Sequence, residues 1–309
     1  MTLRIGFIGA GKAGCSFGKY LSVRAVETVK ATDTPLLDIA GYYSKSPESS
    51  AFASEITSSR QFESLVDIAE FCDLIFITVP DGQISEVLND LVVEFNKANV
   101  DLSHKIFAHL SGSLSSEILL ENIDDDFVYD YSVFSLHPAC AIPNKTDAWL
   151  GLRDAVFVYE GSEKCKSLIS PLLDVMGNQI GSIDPDKKTL YHAACVFLSN
   201  LGVGLAYEGH DLLTSCGMDN KTADAFLSTL FLGNAKNVAE KGPVEALTGP
   251  AERGDVSVIK KHMTELGKLK ENSGSKALSI YTELTEILIK IAKEKHPDRD
   301  YQDLTDLLK

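Results

Sequence analysis

The sequence predicts an α/β fold, in which a doubly wound parallel sheet is followed by an all-helical C-terminal domain. Short β-rich runs alternate with helical patterns as far as about residue 183, which is typical of a parallel sheet covered by helices on both faces. Beyond Asp184 the patterns are long and helical, without a convincing strand. A glycine-rich turn follows the first strand, at the edge of the sheet where such folds hold their ligands.

The order of the predicted elements sets the domain boundary. Strands are predicted at residues 3–8, 36–43, 74–79, 105–109, 128–136, 155–159 and 179–183, with helices at 12–26, 63–71, 84–95, 115–120 and 163–175. Asp184-Pro185-Asp186 favours a helix start. Helices are then predicted at 187–215, 221–240, 256–269, 275–293 and near 301–308. We therefore expect a nucleotide-binding domain at 1–183 and a helical substrate and dimerisation domain at 184–309.

Composition restricts the classes of function. The 309-residue chain carries a net charge of −15, which argues against a nucleic-acid partner because phosphate binding requires clustered Lys and Arg. Its six cysteines form no C-x-x-C pair, so no metal site is predicted and a reducing compartment is favoured. No apolar run approaches the roughly 20 residues that a membrane span needs. We therefore expect a cytoplasmic protein with no membrane partner.

The glycine-rich turn is the most informative motif of the first domain. Residues 9–14 read GAGKAG, a G-x-G-x-x-G pattern between a strand and a helix. The first glycine suits a tight turn, the second lets a pyrophosphate approach the backbone, and the third permits close helix–strand packing. The helix start offers N–H groups to the phosphates. The sequence thus predicts a Rossmann-type dinucleotide site formed by Gly9, Ala10, Gly11, Lys12, Ala13 and Gly14.

The end of the second predicted strand bears on the choice of cofactor. An acidic side chain at this edge accepts the ribose 2′-hydroxyl of NAD, whereas basic or hydroxyl side chains accommodate the 2′-phosphate of NADP. Ser44, Lys45 and Ser46 stand there, so NADP (NADPH) is predicted over NAD; the alternative is that Lys45 is a solvated loop charge. The cofactor is also predicted to pass along the residues after the next buried strand, Val79, Pro80 and Asp81.

Two further strand ends carry polar side chains. The segment HLSGS at 109–113 follows one strand, and His137-Pro138 follows another. Ser111 and His137 are predicted to contact nicotinamide or substrate, and either His109 or His137 is a possible proton donor because histidine titrates near neutrality. The alternative is a hydrogen-bonded histidine that closes a strand.

A polar stripe marks the first helix of the second domain. At about 100° per residue, Lys188, His192 and Ser199 lie on nearly one line, with Asn200 beside them. Because buried polar groups need partners, we expect this stripe to face a cleft between the domains. Lys188 or His192 is predicted to donate a proton, Asn200 to hold the substrate, and Ser199 to contact it. The alternative is a set of structural polar groups that join helices.

The segment LTGPAERGD at 247–255 is a capped turn that presents Arg253. A guanidinium is a planar fork suited to a carboxylate or phosphate. We predict that Arg253 anchors an anionic small-molecule substrate; a structural salt bridge is the alternative.

The motifs in combination resemble one group of proteins. GFIGAGKAG, VPD, HLSGS, HP, YHAACVFLSN and LTGPAERGD are similar to the motifs of Rossmann-like proteins with a helical C-terminal domain named DUF2520. The resemblance extends to about His262. In architecture the group is similar to ketopantoate reductase, pyrroline-5-carboxylate reductase, and 6-phosphogluconate and deazaflavin-dependent NADP oxidoreductase proteins. Residues 139–142, after His137-Pro138, depart from the group's pattern.

The resemblance implies an NADPH-dependent oxidoreductase that transfers a hydride to the carbonyl of a small 2-oxo acid, as ketopantoate reductase does. Two alternatives stay open: an imine reductase of the pyrroline-5-carboxylate type, and an NADP-binding sensor or scaffold without turnover. The apolar helices of the second domain predict a homodimer, because a single helical layer leaves apolar faces to cover.

Overall fold

The chain is described here from a computed structural model, which covers residues 2–98, 102–121, 131–273 and 275–309. Within these residues one sheet has eight strands, β1 (Leu3–Ile8), β2 (Leu37–Tyr43), β3 (Arg60–Gln61), β4 (Leu74–Ile77), β5 (Ile106–His109), β6 (Ser132–Pro138), β7 (Phe157–Gly161) and β8 (Ile180–Ser182). Their order is β3-β2-β1-β4-β5-β6-β7-β8. The predicted α/β fold is confirmed. The first residues of the strand predicted at 128–136 lie outside the described ranges.

One pair of strands departs from the predicted parallel arrangement. β7 runs antiparallel to β6, whereas the other neighbouring pairs are parallel. The connection between β6 and β7 contains only a short 3₁₀ helix, Ala148–Arg153. A parallel neighbour requires a crossover that returns the chain to the starting edge, usually through an α-helix. This connection contains no α-helix, and β7 runs back along β6. The two-residue strand β3 was not predicted because it is too short to form a pattern.

Helices cover the sheet. They are α1 (Lys12–Thr32), α2 (Pro47–Thr57), α3 (Leu65–Phe71), α4 (Ile84–Ala98), α5 (Glu163–Leu168), α6 (Ser170–Met176) and α7 (Lys188–Leu198). The single helix predicted at 163–175 is divided at Ile169, because Pro171 stands in the first turn of α6 and restarts the helix. The helix predicted at 115–120 is a 3₁₀ turn, Ser116–Leu119.

Helix α1 packs unusually closely on the sheet. A Cβ added at Gly14 would lie 2.4 Å from Thr78 Oγ1, and one added at Gly18 would lie 1.7 Å from Tyr42 Oη. Tyr42 is fully buried and stacks on Phe7 with ring centroids 5.0 Å apart. The two glycines therefore let the backbone of α1 approach the strands that position the glycine-rich turn.

We expect Gly18→Ala to destabilise the protein by about 1–3 kcal/mol, because the added methyl group overpacks the buried Tyr42. The matched control is Gly267→Ala in the helix Val256–Ser273, where no atom lies within 4 Å of the added Cβ. This control should gain about 0.5–1 kcal/mol from helix propensity. Thermal unfolding followed by circular dichroism measures both changes; equal shifts in Tm for the two variants would contradict the packing argument.

The chain divides into two compact units, Met1–Val196 and Phe197–Lys309. Most of α7 thus belongs to the first unit, although the domain boundary was predicted before this helix. The described residues of the second unit form helices and no strand: α8 (Asn200–Ser215), α9 (Asn220–Phe226), α10 (Leu232–Ala246), α11 (Pro250–Arg253), α12 (Val256–Ser273), α13 (Ala277–Lys295) and α14 (Gln302–Leu307), with a π-helical turn at Leu227–Phe231. Their core includes Leu247, Ile259, Ile289 and Leu304.

The helix predicted at 187–215 is interrupted at Ser199. Its backbone angles, φ −123° and ψ −79°, are not helical, and α8 begins at the next residue. The predicted alignment therefore holds for Lys188 and His192, which both lie in α7, and does not hold for Ser199, which lies at the break. At the break, Ser199 Oγ donates to the side-chain oxygen Oδ1 of Asn200 at 3.0 Å.

The stretch Pro185–Ser215 is long and apolar enough, by length and composition, to cross a membrane, and none of its most apolar part is buried in the single chain. The sequence expectation that no segment has this property is therefore wrong. No Asp, Glu, Lys or Arg occurs between Lys188 and Glu208. The apolar character was obscured by the polar side chains of His192, Ser199 and Asn200.

Candidate functional site

The glycine-rich turn joins β1 to α1 in a conformation that favours glycine. Gly9 has φ +104°, and an added Cβ would lie 2.8 Å from the carbonyl carbon and oxygen of Thr78. Thr78 Oγ1 donates a hydrogen bond to the carbonyl oxygen of Gly9 at 2.6 Å. Gly11 is the residue before α1. Among the described residues, the one neighbour of a Cβ added there would be the Thr78 carbonyl oxygen, at 3.9 Å. The turn is thus held by β4 and leaves its backbone open to a ligand.

A cavity of about 380 Å³ lies against this turn. Seven predicted cofactor residues line it: Gly9, Ala10, Gly11, Ser44, Lys45, Val79 and Pro80. Lys12, Ala13, Gly14, Ser46 and Asp81 are outside its lining. Sequence reasoning did not identify Ser49, Thr78 and Lys145, which also line the cavity. Thr78 directly precedes the predicted segment Val79–Asp81 and Ser49 lies shortly after Ser46, whereas Lys145 comes from a loop that carries no recognisable motif.

Ser46 has a structural task at this edge. Its hydroxyl oxygen accepts a hydrogen bond from the N–H of Ser49 at 3.2 Å and lies 2.9 Å from Glu48 Oε2. This arrangement caps the N-terminus of α2. Ser44 and Lys45 are therefore the members of the predicted triplet that are directed to the cavity.

The residues after β4 and β5 meet through hydrogen bonds. The hydroxyl groups of Ser111 and Ser113 donate to Asp81 Oδ2 at 2.7 and 3.0 Å. The hydroxyl oxygen of Ser111 also accepts from the N–H groups of Ser113 and Leu114. Ser111, a predicted substrate contact, is buried and holds the 109–113 loop against Asp81.

His109 closes the same loop. Its Nε2 lies 3.0 Å from the carbonyl oxygen of Ser115, and its Nδ1 accepts a hydrogen bond from the N–H of Ser111 at 3.1 Å. This pattern requires the neutral ring with the proton on Nε2. Burial lowers the pKa of His109 to about 4. Both ring nitrogens have backbone partners, which fits the alternative of a hydrogen-bonded histidine that closes a strand.

Lys188 lies at one end of a buried hydrogen-bonded chain. Its Nζ donates to Ser135 Oγ at 2.6 Å, and that hydroxyl donates to Glu160 Oε2 at 2.9 Å. Glu160 also accepts from the N–H and hydroxyl of Ser116 at 2.6 and 2.8 Å. Lys188, Ser135, Glu160 and Ser116 are all at most 4% exposed. Ser135 and Glu160 face each other across β6 and β7.

The environment of Lys188 brings its titration close to neutrality. Burial lowers its pKa to about 8, while the negative charges of Glu160 and Asp81 oppose this shift. A lysine with such a pKa is suited to proton transfer or to a stable positive charge near pH 7. Ser135 and Glu160 were not predicted, although a glutamate within the apolar strand β7 was a signal that the sequence offered.

The side chains of His137, Tyr191 and His192 form a cluster beside the backbone of Gly112. His137 Nδ1 lies 2.7 Å from the hydroxyl of Tyr191, and the rings of His137 and His192 are 6.2 Å apart. A Cβ added at Gly112 would lie 2.7 Å from both His137 Nε2 and His192 Nδ1, so the two nitrogens face the same backbone position. His192 Nδ1 is buried and has no partner among the described residues. Burial, with the nearby Lys188, lowers the pKa of His137 to about 4.

The sheet register brings these groups to one edge. Ile8, Ile77, His109 and Ser135 are successive partners across β1, β4, β5 and β6. The glycine turn, Asp81 and Ser111 therefore follow the carboxyl ends of neighbouring parallel strands, and His137 lies near the carboxyl end of β6 rather than after it. Ligands bind at this edge in open α/β sheets. The edge combines a cradle for a dinucleotide with a buried cation and an unpartnered imidazole nitrogen, which fit hydride transfer with proton donation.

Three predicted site residues belong to the second unit. Ser199 and Asn200 are exposed at the break before α8. Arg253 is exposed at the end of α11 and forms no ion pair with any residue in the described ranges. The neighbouring Glu252 takes the salt bridges with His296 and Arg299. Arg253 thus retains the free guanidinium that an anchor for an anion requires, and its role stays a prediction.

Comparison with solved structures identifies proteins of similar fold. Protein TM1727 from Thermotoga maritima has 24% identity and a TM-score of 0.68, covering 94% of this chain and 99% of its own. Pyrroline carboxylate reductase from Plasmodium falciparum with NADP bound has 14% identity and a TM-score of 0.56, covering 94% and 98%. Imine reductase from Pseudomonas sp. has 15% identity and a TM-score of 0.60, covering 95% and 98%. At these identities the similarity establishes the fold.

Comparison of sequences gives one family and no curated relative. No curated protein matches the chain. The family model described as "Domain of unknown function (DUF2520)" matches residues 155–287, which extends past the limit near His262 predicted for the resemblance. The motifs before β7, including GAGKAG and HLSGS, lie outside this match. The predicted resemblance is therefore confirmed: from just before β7 into α13, the chain matches the DUF2520 family.

Proposed function

We propose that this protein is an NADPH-dependent reductase that transfers a hydride to the carbonyl or imine carbon of a small anionic substrate. The observation that carries the proposal is the shared sheet edge, which bears both the glycine-rich turn with its cavity and the cluster of Lys188, His137 and His192. The residues fit a dinucleotide because the backbone is open at Gly11, where an added Cβ would meet no atom of the described residues closer than the Thr78 carbonyl oxygen at 3.9 Å. The cavity also has two lysines among its lining. NADPH supplies the hydride when it is bound.

The chain supplies charge and a proton. We assign to Lys188 the role of a buried positive charge, held by Ser135 and Glu160, which stabilises negative charge on the substrate oxygen as the hydride arrives. We assign the proton to His192, whose buried Nδ1 lacks a partner and whose side chain is half-buried. His137 is the neutral neighbour that is oriented by Tyr191. Arg253 and Asn200 are proposed to hold the substrate.

Two substrate classes follow from different observations. A small 2-oxo acid, with ketopantoate as the named compound, fits a site that provides a proton for a developing alkoxide. A cyclic imine acid is favoured by the folds of the pyrroline carboxylate reductase and the imine reductase described above. An imine nitrogen accepts its proton before reduction, so this substrate has less need of Lys188.

The oxidation of NADPH, followed by absorbance, tests the reductase proposal with both substrates. We expect Lys188→Met and His192→Gln each to lower kcat for an oxo acid by about 10²–10⁴-fold, because each removes charge or proton donation in the transition state. The dissociation constant for NADPH should stay within about twofold, since neither side chain lines the cofactor cavity.

Retained turnover in both variants would remove the proposed roles of Lys188 and His192. Tm must be measured with each, because Lys188 is buried. If the wild-type protein binds NADPH tightly yet turns over neither an oxo acid nor a cyclic imine, the sensor or scaffold alternative replaces the reductase.

We further propose that the protein forms a homodimer through its second unit. Exposed apolar side chains, each open over 62–90% of its surface, lie on the end of α7, on α8 and around the π-helical turn: Phe197, Leu198, Val203, Tyr207, Leu230 and Leu232. Monomers rarely expose apolar patches above a few hundred Å². A second copy offers a matching apolar surface through twofold symmetry. We name these six residues the apolar face.

A further inference from the structure

Lys145 is held in a fixed position by the residue before it. Asn144 Oδ1 accepts hydrogen bonds from the N–H groups of Thr146 and Asp147 at 2.9 and 3.0 Å. The carbonyl oxygen of Asn144 accepts from Ser16 Oγ at 3.2 Å, and Ser16 is fully buried on α1. The loop that follows β6 is thus fastened both to itself and to the helix that begins at the glycine-rich turn.

The side chain of Lys145 reaches the cofactor cavity from this loop. It lines the cavity together with Lys45, Ser44 and Ser49, and its Nζ lies 3.5 Å from Ser49 Oγ. Lys145 is half-buried, whereas Lys45 is exposed. Among the lining residues, the two lysines are the basic ones, and the acidic ones, Asp90 and Glu94, belong to α4. Positive charge is therefore concentrated where β2 meets α2.

The net charge of the protein indicates the role of the two lysines at the cavity. With a net charge of −15, the protein as a whole repels an anionic ligand, so binding depends on local cations. The N–H groups at the start of α1 already provide for a pyrophosphate. Lys45, which follows β2, and Lys145, from the loop after β6, match a further phosphate. In Rossmann units the end of β2 faces the ribose of the adenosine.

We propose that Lys145, with Lys45 and the hydroxyls of Ser44 and Ser49, binds the 2′-phosphate of NADPH and makes the cavity select NADPH over NADH. This inference rests on the proposed reductase function for its ligand. Ser49 takes the place predicted for Ser46, because the hydroxyl of Ser46 caps α2. Lys145 contributes a second cation from a loop that is distant in sequence. A lysine ammonium that hydrogen-bonds a phosphate contributes far more to binding than a neutral contact.

Titration of the purified full-length protein with NADPH and with NADH, followed by nucleotide fluorescence, tests the assignment. We expect Lys145→Gln to raise the Kd for NADPH by about 10- to 100-fold and to leave the Kd for NADH within about twofold. Lys145→Arg should keep most of the preference. The matched control is Lys30→Gln, which removes the same charge at the other end of α1 and should change neither Kd.

Different failures are separable in this experiment. Equal weakening of NADPH and NADH by Lys145→Gln would place Lys145 on the pyrophosphate and overturn the inference. An unchanged Kd for NADPH, or a wild-type protein with no preference, would also overturn it, while NADPH turnover would leave the reductase proposal standing. A wild-type protein that binds neither nucleotide would reject both.

Discussion

Glu160→Gln is expected to destabilise the protein by about 3–5 kcal/mol, because it leaves the buried ammonium of Lys188 without its counter-charge. The carboxylate accepts three hydrogen bonds from Ser116 and Ser135 through both of its oxygens. A glutamine amide has only one accepting oxygen, because its NH₂ group only donates. The change should be measured by urea unfolding at pH 7. A loss of this size lowers Tm by several degrees in a protein of this length.

The same substitution should change the pH dependence of turnover. Lys188 is mostly protonated below its pKa of about 8, so kcat/KM for an oxo acid is expected to fall as the pH rises through this value. Glu160 raises the pKa of Lys188. Removing its charge therefore moves the falling limb of the profile to lower pH, by about 1 unit or more.

A control and a second variant make this result specific. Glu163→Gln removes a carboxylate whose side chain is 87% exposed and should change stability by less than about 1 kcal/mol without moving the pH profile. In the double variant Glu160→Gln with Lys188→Met, no buried charge remains, so we expect it to be more stable than Glu160→Gln alone. If Glu160→Gln unfolds at the wild-type urea concentration and keeps the wild-type profile, the buried chain has neither role.

The sequence predicts the first unit well where local pattern decides the structure. The strand–helix alternation and the GAGKAG turn specify the sheet edge, because period and turn chemistry are properties of neighbouring residues. The antiparallel strand β7 depends on the connection between two strands, and the division of α5 from α6 depends on a single proline. Such features are set by tertiary contacts or by one residue, and they leave little periodic signal.

The candidate site divides in the same way. The glycine turn, Ser44, Lys45 and Lys188 follow motifs, so they were predictable by position. Glu160, Ser135 and Lys145 are brought to the site by strand register and by a fastened loop. Their roles exist only after folding, because partners such as Ser135 and Lys188 are 53 residues apart in the chain.

The helix break at Ser199 shows a further limit of sequence patterns. A polar stripe drawn at 100° per residue assumes unbroken helical backbone, and Ser199, one of the residues of the stripe, interrupts that backbone. A polar residue within an apolar stretch predicts a cleft. Exposed apolar side chains lie on both sides of Ser199 instead. Phe197, Leu198 and Val203 are among them and belong to the apolar face.

Leu198→Glu is expected to convert the protein from dimer to monomer. Leu198 is 90% exposed in the single chain, so a carboxylate is harmless there unless a partner covers it. Within a dimer each copy would bury one such charge, and an unpaired buried carboxylate costs several kcal/mol. The dimer dissociation constant should rise by at least about 100-fold, which sedimentation velocity measures between nanomolar and micromolar protein.

A control separates the apolar face from apolar surface in general. Val26→Glu places the same charge on α1, at a valine that is 55% exposed in the first unit, and should leave the sedimentation coefficient unchanged. A wild-type protein that stays monomeric at micromolar concentration contradicts the homodimer. If that monomer floats with phospholipid vesicles and Leu198→Glu does not, the apolar face binds lipid instead, as the length and composition of Pro185–Ser215 allow. A dimer that binds no vesicles and is dissociated by Leu198→Glu accounts for the exposed helix by a second copy of the chain.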